Sequence, residues 1–233
     1  MPAEGHIVNE TVVVITGADA IVPAVAQRIP DGAVVIAADG ALDHALAAGV
    51  RPAGLVGDMD SISAAGLEWA ARHATIERHD PDKDHTDTEL ALMVAADLRP
   101  ARLILVGAGD RLDHVLAAIG ALGQPHLTSI PVIDAWWDEQ WIRVLHGPGS
   151  TTLDLADGTT LSLLALHGPC SGVTVTGVRW PLERAHLAPL VGVGVSNVAL
   201  GPEVTVRVST GVLTIVMPGH TTTTTTTTEE VES

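Results

Sequence analysis

Along the first half of the chain, short β-branched apolar runs alternate with longer Ala/Leu-rich stretches. The runs TVVVIT (11–16), AVVIAA (33–38), AGLVG (53–57), ATIERH (74–79) and RLILVGA (102–108) read as strands. Between them, segments 20–28, 40–48, 63–72, 87–98 and 112–122 read as helices. Strands that are apolar almost throughout need cover on both faces. The pattern therefore predicts a three-layer α/β domain with a mostly parallel sheet.

After about Ser129 the helical periodicity stops. In its place stand WIRVLH (141–146), STTLDL (150–155), TTLSLLAL (159–166), GVTVTGV (172–178), VGVSNVAL (193–200), EVTVRVS (203–209) and VLTIVM (212–217), with Gly/Pro turns between them. Closely spaced short strands of this kind predict an antiparallel β-sandwich or barrel. From His220 the chain turns to eight consecutive Thr and then EEVES, a composition that buries no core and predicts a disordered tail. The expected organisation is an N-terminal extension (1–10), an α/β domain (11–128), a β-sandwich domain (129–219) and the Thr/Glu tail (220–233). No repeat of 20–50 residues interrupts it.

Composition narrows the function classes. The 233 residues are 46% hydrophobic, enough for a core. No apolar run reaches the roughly 18–20 residues of a membrane span, and MPAEGHIVNE lacks the basic-then-apolar order of a secretory signal. One cysteine, Cys170, rules out an internal disulfide framework and is expected to be an inert core residue. A cytoplasmic, soluble protein is expected. With 12 Lys+Arg against 28 Asp+Glu the net charge is −16, which argues against nucleic acid as a partner. An acidic protein still binds phosphate esters when a metal ion bridges the two.

The acidic residues are not scattered. Asp39 follows the second strand; Asp58 and Asp60 the third; Asp82, Asp84 and Asp87 the fourth; Asp110 and Asp113 the fifth. In an open parallel sheet these loops converge on one crevice outside the carboxyl ends of the strands. A single Asp at a strand exit is an ordinary turn or N-cap residue. Asp at four successive exits is a different matter, because so many like charges repel unless a cation neutralises them. Oxygen-only ligands suit a hard ion, Mg²⁺ above all. Lys83 and Arg111 sit inside the acidic loops as phosphate binders, point charge and planar fork respectively. The GAGDR turn (107–111) offers backbone N–H groups to an anion, while no GxxxxGK[ST] loop exists, which excludes a P-loop kinase. His44 and His85 read as surface groups. Trp136, Trp137 and Trp141 read as packing residues at the boundary between the halves.

ADGA (38–41), GDMDS (57–61), DKDHTDTELAL (82–92) and GAGDRLDHVLAAI (107–119) together resemble the thiamine pyrophosphokinase (thiamine diphosphokinase) family. LSLLALHGPCSGVTVTGVRWPL (161–182) and GVSNVALGPEVTVRVSTGVLTIVM (194–217) are similar to that family's second half, so the resemblance runs from about residue 11 to 218. It implies an α/β catalytic domain, a C-terminal β-sandwich and a homodimer with active sites between subunits. The reaction implied is Mg²⁺-dependent transfer of diphosphate from ATP to thiamine, with AMP released. Ala41, Ala108 and Val198 stand where the family pattern has glycine, glycine and an acidic residue. On this resemblance Asp58, Asp60, Asp87 and Asp113 are the expected metal-binding and catalytic carboxylates. Asp39, Ser61, Lys83, Asp84, Thr86, Arg111 and His114 are expected on the ATP phosphates, and Trp180, Ser196 and Asn197 on thiamine. The rivals are a diphosphokinase for another small alcohol, such as a hydroxymethylpterin, and a non-catalytic nucleotide-binding relative.

Overall fold

Val12–Ile15 and Leu103–Val106 have no exposed surface at all: they form neighbouring strands at the centre of a sheet, covered on both faces. The computed structural model describes residues 11–17, 19–109 and 111–219. The extension 1–10, Asp110 and the Thr/Glu tail lie outside the described residues. The first half runs β1 (Thr11–Thr16), α1 (Pro23–Ala26), β2 (Val34–Ala38), α2 (Ala41–Ala47), β3 (Gly54–Gly57), α3 (Ala64–His73), β4 (Thr75–Arg78), α4 (Asp87–Asp97), β5 (Arg102–Gly107), α5 (Leu112–Ala121) and β6 (Val132–Trp137). Helix starts follow local chemistry. Ser63 accepts the Gly66 amide ahead of α3, and Thr86 and Glu89 form a reciprocal capping box at α4.

These six strands are all parallel, in the order β4-β3-β2-β1-β5-β6. The order reverses at β1, which has β2 on one side and β5 on the other. Its carboxyl end is therefore where a crevice opens. Leu90–Leu92 and Ala95 of α4 pack with Ala118 and Ala121 of α5 and with Leu122 just after it against one face of this sheet.

The second half does not begin a separate sheet. β7 (Gln140–His146) hairpins onto β6, and β8 (Gly149–Asp154), β9 (Thr160–Leu164), β10 (Cys170–Thr176), β11 (Leu182–Leu187), β12 (Asn197–Val198), β13 (Glu203–Val208) and β14 (Val212–Met217) come after it. The large sheet continues as β6-β7-β14-β9-β12, now antiparallel, to ten strands; β11-β10-β13-β8 make a second, antiparallel sheet. Leu153, Leu163, Val173, Val175, Val206 and Ile215 fill the space between the two. The α/β plus β-sandwich architecture agrees with the sequence pattern, and the two parts share one sheet.

Three segments depart from the apolar pattern. β6 escapes it because Asp134 interrupts the apolar run. β11 (LERAHL) is mostly exposed, so it carries no apolar signature. The alternating valines of 193–200 suggest a strand, yet only Asn197–Val198 pairs, and Val193 and Val195 are about half exposed. Among the described residues no helix is long and apolar enough to cross a membrane.

Asp134 has no exposed surface and sits where the parallel and antiparallel parts meet. Arg102 of β5 donates to it through Nε and Nη2 at 2.8 and 2.6 Å, Arg143 of β7 through Nε at 2.5 Å, and Trp141 through Nε1 at 2.9 Å. Cys170 is buried, with Sγ donating to the Val212 carbonyl at 3.3 Å, and burial pushes its thiol pKa up, as befits an inert thiol.

Two histidines of the sandwich half hold the C-terminal end of α5. His146 donates through Nε2 to the Leu122 carbonyl at 2.9 Å; His167 reaches the Gly120 backbone, and its Nε2 lies 3.1 Å from Thr214 Oγ1. Burial, with His146 adding to it, holds the His167 pKa below the ordinary histidine value, and burial lowers His126 as well. The unfolded chain thus binds protons first as pH falls, so stability is lost from about pH 6.5 downward. The melting temperature is expected to fall between about pH 7 and pH 5.5, and less so in His167→Gln. Calorimetry across that range checks this; parallel profiles for the two proteins would discount His167.

Candidate functional site

β1 ends at Thr16, β2 at Ala38, β3 at Gly57 and β5 at Gly107, and the loops beyond them surround a cavity of about 760 Å³. The cavity lies at the switch point where strand order reverses. By strand order, Thr16, Gly17, Ala108 and Gly109 follow the central strands β1 and β5, Asp39, Lys83 and Asp87 line the wall on the β2–β4 side, and Arg111, Asp113 and His114 line the side beyond β5.

The wall carries the chemistry. Asp39 takes a left-handed conformation (φ 45°) directly after β2 and is buried. Oxygens of Asp39, Asp58 and Asp87 lie within 4.8 Å of one another. Gly57 allows this approach: a Cβ there would stand 3.0 Å from Asp39 Cβ and from Asp87 Oδ1, and its φ is +148°. Lys83 neutralises part of the charge, with Nζ 2.6 Å from Asp58 Oδ2 and 3.0 Å from Asp87 Oδ1. Asp39 Oδ1 is buried with no hydrogen-bond partner.

Protonation reflects these contacts. Burial pushes the Asp39 carboxyl above the usual carboxylate range; the Gly40 amide and Ser61 oppose this, and the Asp87 and Asp58 charges add to it. The bond from Lys83 holds Asp58 low. Burial pulls the Lys83 ammonium down, but Asp58 and Asp87 outweigh it and leave its pKa raised. Three oxygen donors, one orphaned and reluctant to ionise, fit a hard divalent cation, which would favour the ionised form.

Of the carboxylates expected on metal, Asp58 and Asp87 meet here, and Asp39, expected on phosphate, completes the trio. Asp60 is exposed on the same loop, accepting the Ser61 hydroxyl at 2.7 Å. Asp113 stands across the cavity in a two-point pair with Arg111, through Nε at 3.2 Å and Nη2 at 2.5 Å. That pair is about two-thirds exposed, and both residues line the cavity. The Arg111 bond holds the Asp113 carboxyl low.

Ser61 lines the cavity and gives its amide to Asp39 Oδ2 at 3.3 Å. Thr86 lines it too, but its hydroxyl is engaged in the α4 cap. His114 lines it from the first turn of α5, while Asp84 is exposed and does not. His44 and His85 line the cavity as well; His85 is exposed, as a surface group, and His44 is half-buried. So does Trp137, which is buried and donates from Nε1 to the Gly109 carbonyl at 3.2 Å. Asp43 also lines the cavity and escapes the motif reading altogether. It stands in the first turn of α2, where an acidic residue is an ordinary helix-start feature, so the sequence carries no local signal for its role.

Trp180, Ser196 and Asn197 do not line this cavity. Asn197 is buried and fixes the Trp180 backbone, accepting its amide at 3.1 Å and donating to its carbonyl at 2.7 Å. The Trp180 indole is about half exposed, with the Arg179 guanidinium 4.9 Å from its ring centroid.

Comparison with known proteins gives a consistent result. Residues 25–133 match the model of the thiamin pyrophosphokinase catalytic domain, and residues 150–213 that of the thiamin pyrophosphokinase vitamin B1 binding domain. The thiamine pyrophosphokinase of Bacillus subtilis (strain 168) is 26% identical over 174 residues, covering 73% of this chain and 80% of its own. Among solved structures, the thiamine pyrophosphokinase from Bacillus subtilis superposes with a TM-score of 0.77 at 24% identity, over 89% of this chain and 98% of that one. A protein from Lactobacillus plantarum superposes at 0.71 and 29% identity, over 89% and 97%.

Proposed function

The chain belongs to the thiamin pyrophosphokinase family, and from that premise we propose that it transfers diphosphate from ATP to the hydroxyethyl group of thiamine. The observation that carries the reading is the trio Asp39, Asp58 and Asp87, clasped by Lys83 at the switch-point crevice, with Arg111 on the facing wall. The thiamine oxygen attacks the β-phosphorus in line, the bond from that phosphorus to the α-phosphate oxygen breaks, and AMP leaves. Mg²⁺ held by Asp39, Asp58 and Asp87, with Asp60 beside them, would supply the positive charge the phosphate oxygens require.

The chain's own groups do the rest. Lys83 and Arg111 bind phosphate oxygens, and their acidic neighbours keep both cations charged. Ser61 and His114 offer hydrogen bonds at the cavity edge. A carboxylate of the cluster accepts the hydroxyl proton as the new oxygen–phosphorus bond forms. The half-exposed Trp180 offers a π face to the thiamine cation. Because Trp180, Ser196 and Asn197 lie off the cavity of their own chain, the reading includes a homodimer whose sites draw on two copies. The exposed Leu190, Val193, Val195 and Leu200 beside them supply apolar surface for that contact. Light scattering at about micromolar concentration is expected to give twice the chain mass. A fully active monomer would refute the shared site. A cytoplasmic location, where ATP is at hand, completes the reading.

Product analysis tests the reaction. With ATP, Mg²⁺ and thiamine, mass spectrometry is expected to find thiamine diphosphate and AMP in equal amounts. Formation of ADP, product only from a pterin alcohol, or no turnover would each overturn it.

A further inference from the structure

Asp39 and Asp43 flank the start of α2, and both reach across to the loop that carries Asp58. Asp39 Oδ2 accepts the Ser61 amide. Asp43 accepts twice at the far end of the loop: the Ser63 amide donates to Oδ2 at 2.7 Å and the Ser63 hydroxyl to Oδ1 at 2.8 Å. Because that hydroxyl gives its proton to Asp43, its oxygen is left to accept the Gly66 amide at 3.0 Å and so caps α3. The contact is tight. A Cβ at Gly66 would lie 2.1 Å from Asp43 Oδ1, and one at Gly40 would lie 3.0 Å from the Ser61 carbonyl oxygen.

Residues 57–63 thus leave β3, present Asp58 to Asp39 and Asp87, and are fastened at Ser63 before α3 begins. We propose that Asp43 is a positioning residue: its double bond to Ser63 sets the loop's path and so the place of Asp58 in the carboxylate trio. The inference rests on the reading that this trio holds a divalent cation. It needs Asp43 for hydrogen-bond geometry and not for its charge. In Asp43→Asn the new amide would accept the Ser63 amide through its carbonyl and donate to the Ser63 hydroxyl oxygen, keeping the strap while losing the charge.

The test is Mn²⁺ binding to the full-length protein, followed by electron paramagnetic resonance without nucleotide or thiamine. Turnover is measured in parallel. Asp43→Ala is expected to weaken Mn²⁺ binding roughly 10-fold, the low end of what losing outer support of a metal site costs. In this variant kcat should fall and the Mg²⁺ requirement rise, and the Ser63 amide should lose its protection from hydrogen exchange. Asp43→Asn is expected to stay within about threefold of the parent in Mn²⁺ affinity. If Asp43→Ala does not fold, Ser63→Ala removes one leg of the strap and is expected to weaken Mn²⁺ binding about threefold. Unchanged Mn²⁺ affinity in the folded variants overturns the proposal. So does an Asn variant as impaired as the Ala one, which would mean that the charge acts directly. A parent protein that binds Mn²⁺ yet makes no thiamine diphosphate would sink the reaction assignment and leave the strap testable.

Discussion

Replacing Asp58 by Asn is expected to cut turnover by roughly 10²-fold or more, the scale seen when a transition-state electrostatic contact is lost. The substitution keeps the side chain's size and removes one negative charge from the cluster that Asp58 forms with the wall residues Asp39 and Asp87. Asn gives up the Lys83 bond that holds the Asp58 carboxyl low, but folding should survive that loss for two reasons. The Asp58 charge is part of what pushes the Asp39 carboxyl up, so its removal relieves repulsion. Lys83 also keeps Asp87 as a partner at 3.0 Å. The loss should therefore appear in kcat and in a raised Mg²⁺ requirement, while the melting curve holds. If Asp58 merely shaped its turn, Asn would serve as well, since the two are equivalent in such positions. The deciding measurement is kcat across a Mg²⁺ titration beside the melting curve. A near-normal kcat at ordinary Mg²⁺ would remove the case for phosphoryl chemistry in this crevice.

The largest stability effect is expected far from that wall. Asp134→Ala takes the shared carboxylate from between Arg102 and Arg143, whose side chains are 32% and 14% exposed. The Arg143 guanidinium, held against the Trp141 ring and by Thr151 Oγ1, has little access to water in exchange. Breaking a buried pair from one side typically costs about 3–5 kcal/mol. For a chain of this size that lowers the melting temperature by roughly 10 °C. Asp154→Ala, on an exposed position of β8, should stay within about 0.5 kcal/mol. Denaturant melts of the two variants side by side check the contrast. A cost under about 1 kcal/mol for Asp134→Ala would show that the cluster relaxes or hydrates readily.

Asp134 also shows where reading the chain reaches its limit. β1 and β5 are legible because burial on both faces writes itself as consecutive Val, Ile and Leu. In β6 a buried charge breaks the run, and its partners stand 32 residues before and 9 after it, out of reach of any local pattern. The site divides in the same way. Acidic strand exits announce a crevice, because parallel topology sends all of them to one edge. Which oxygens meet depends on strand order. Asp39 and Asp58 belong to adjacent strands, β2 and β3, and converge; Asp113 follows β5, beyond the reversal, and faces them from across the cavity. Asp43 bonds to a serine 20 residues on, a pairing no spacing rule marks. The valines at 193 and 195 alternate as a strand would, yet they are left exposed on a turn region.

Because β6 pairs with β5 through six residues on one edge and with β7 on the other, no hinge separates the parallel half of the large sheet from its antiparallel half. Rungs of one ladder melt together, so heat should register a single absorption peak for the whole chain, with the sandwich strands going at the same temperature as the parallel ones. Nucleotide seated beyond β1 would then protect amides in β14 and β9 that it never approaches, by mass action on a common unfolding event. A fragment cut between β5 and β6 would carry the opposite fate: a long, apolar strand edge laid open on each piece, and a strong tendency of those pieces to find each other, or copies of themselves.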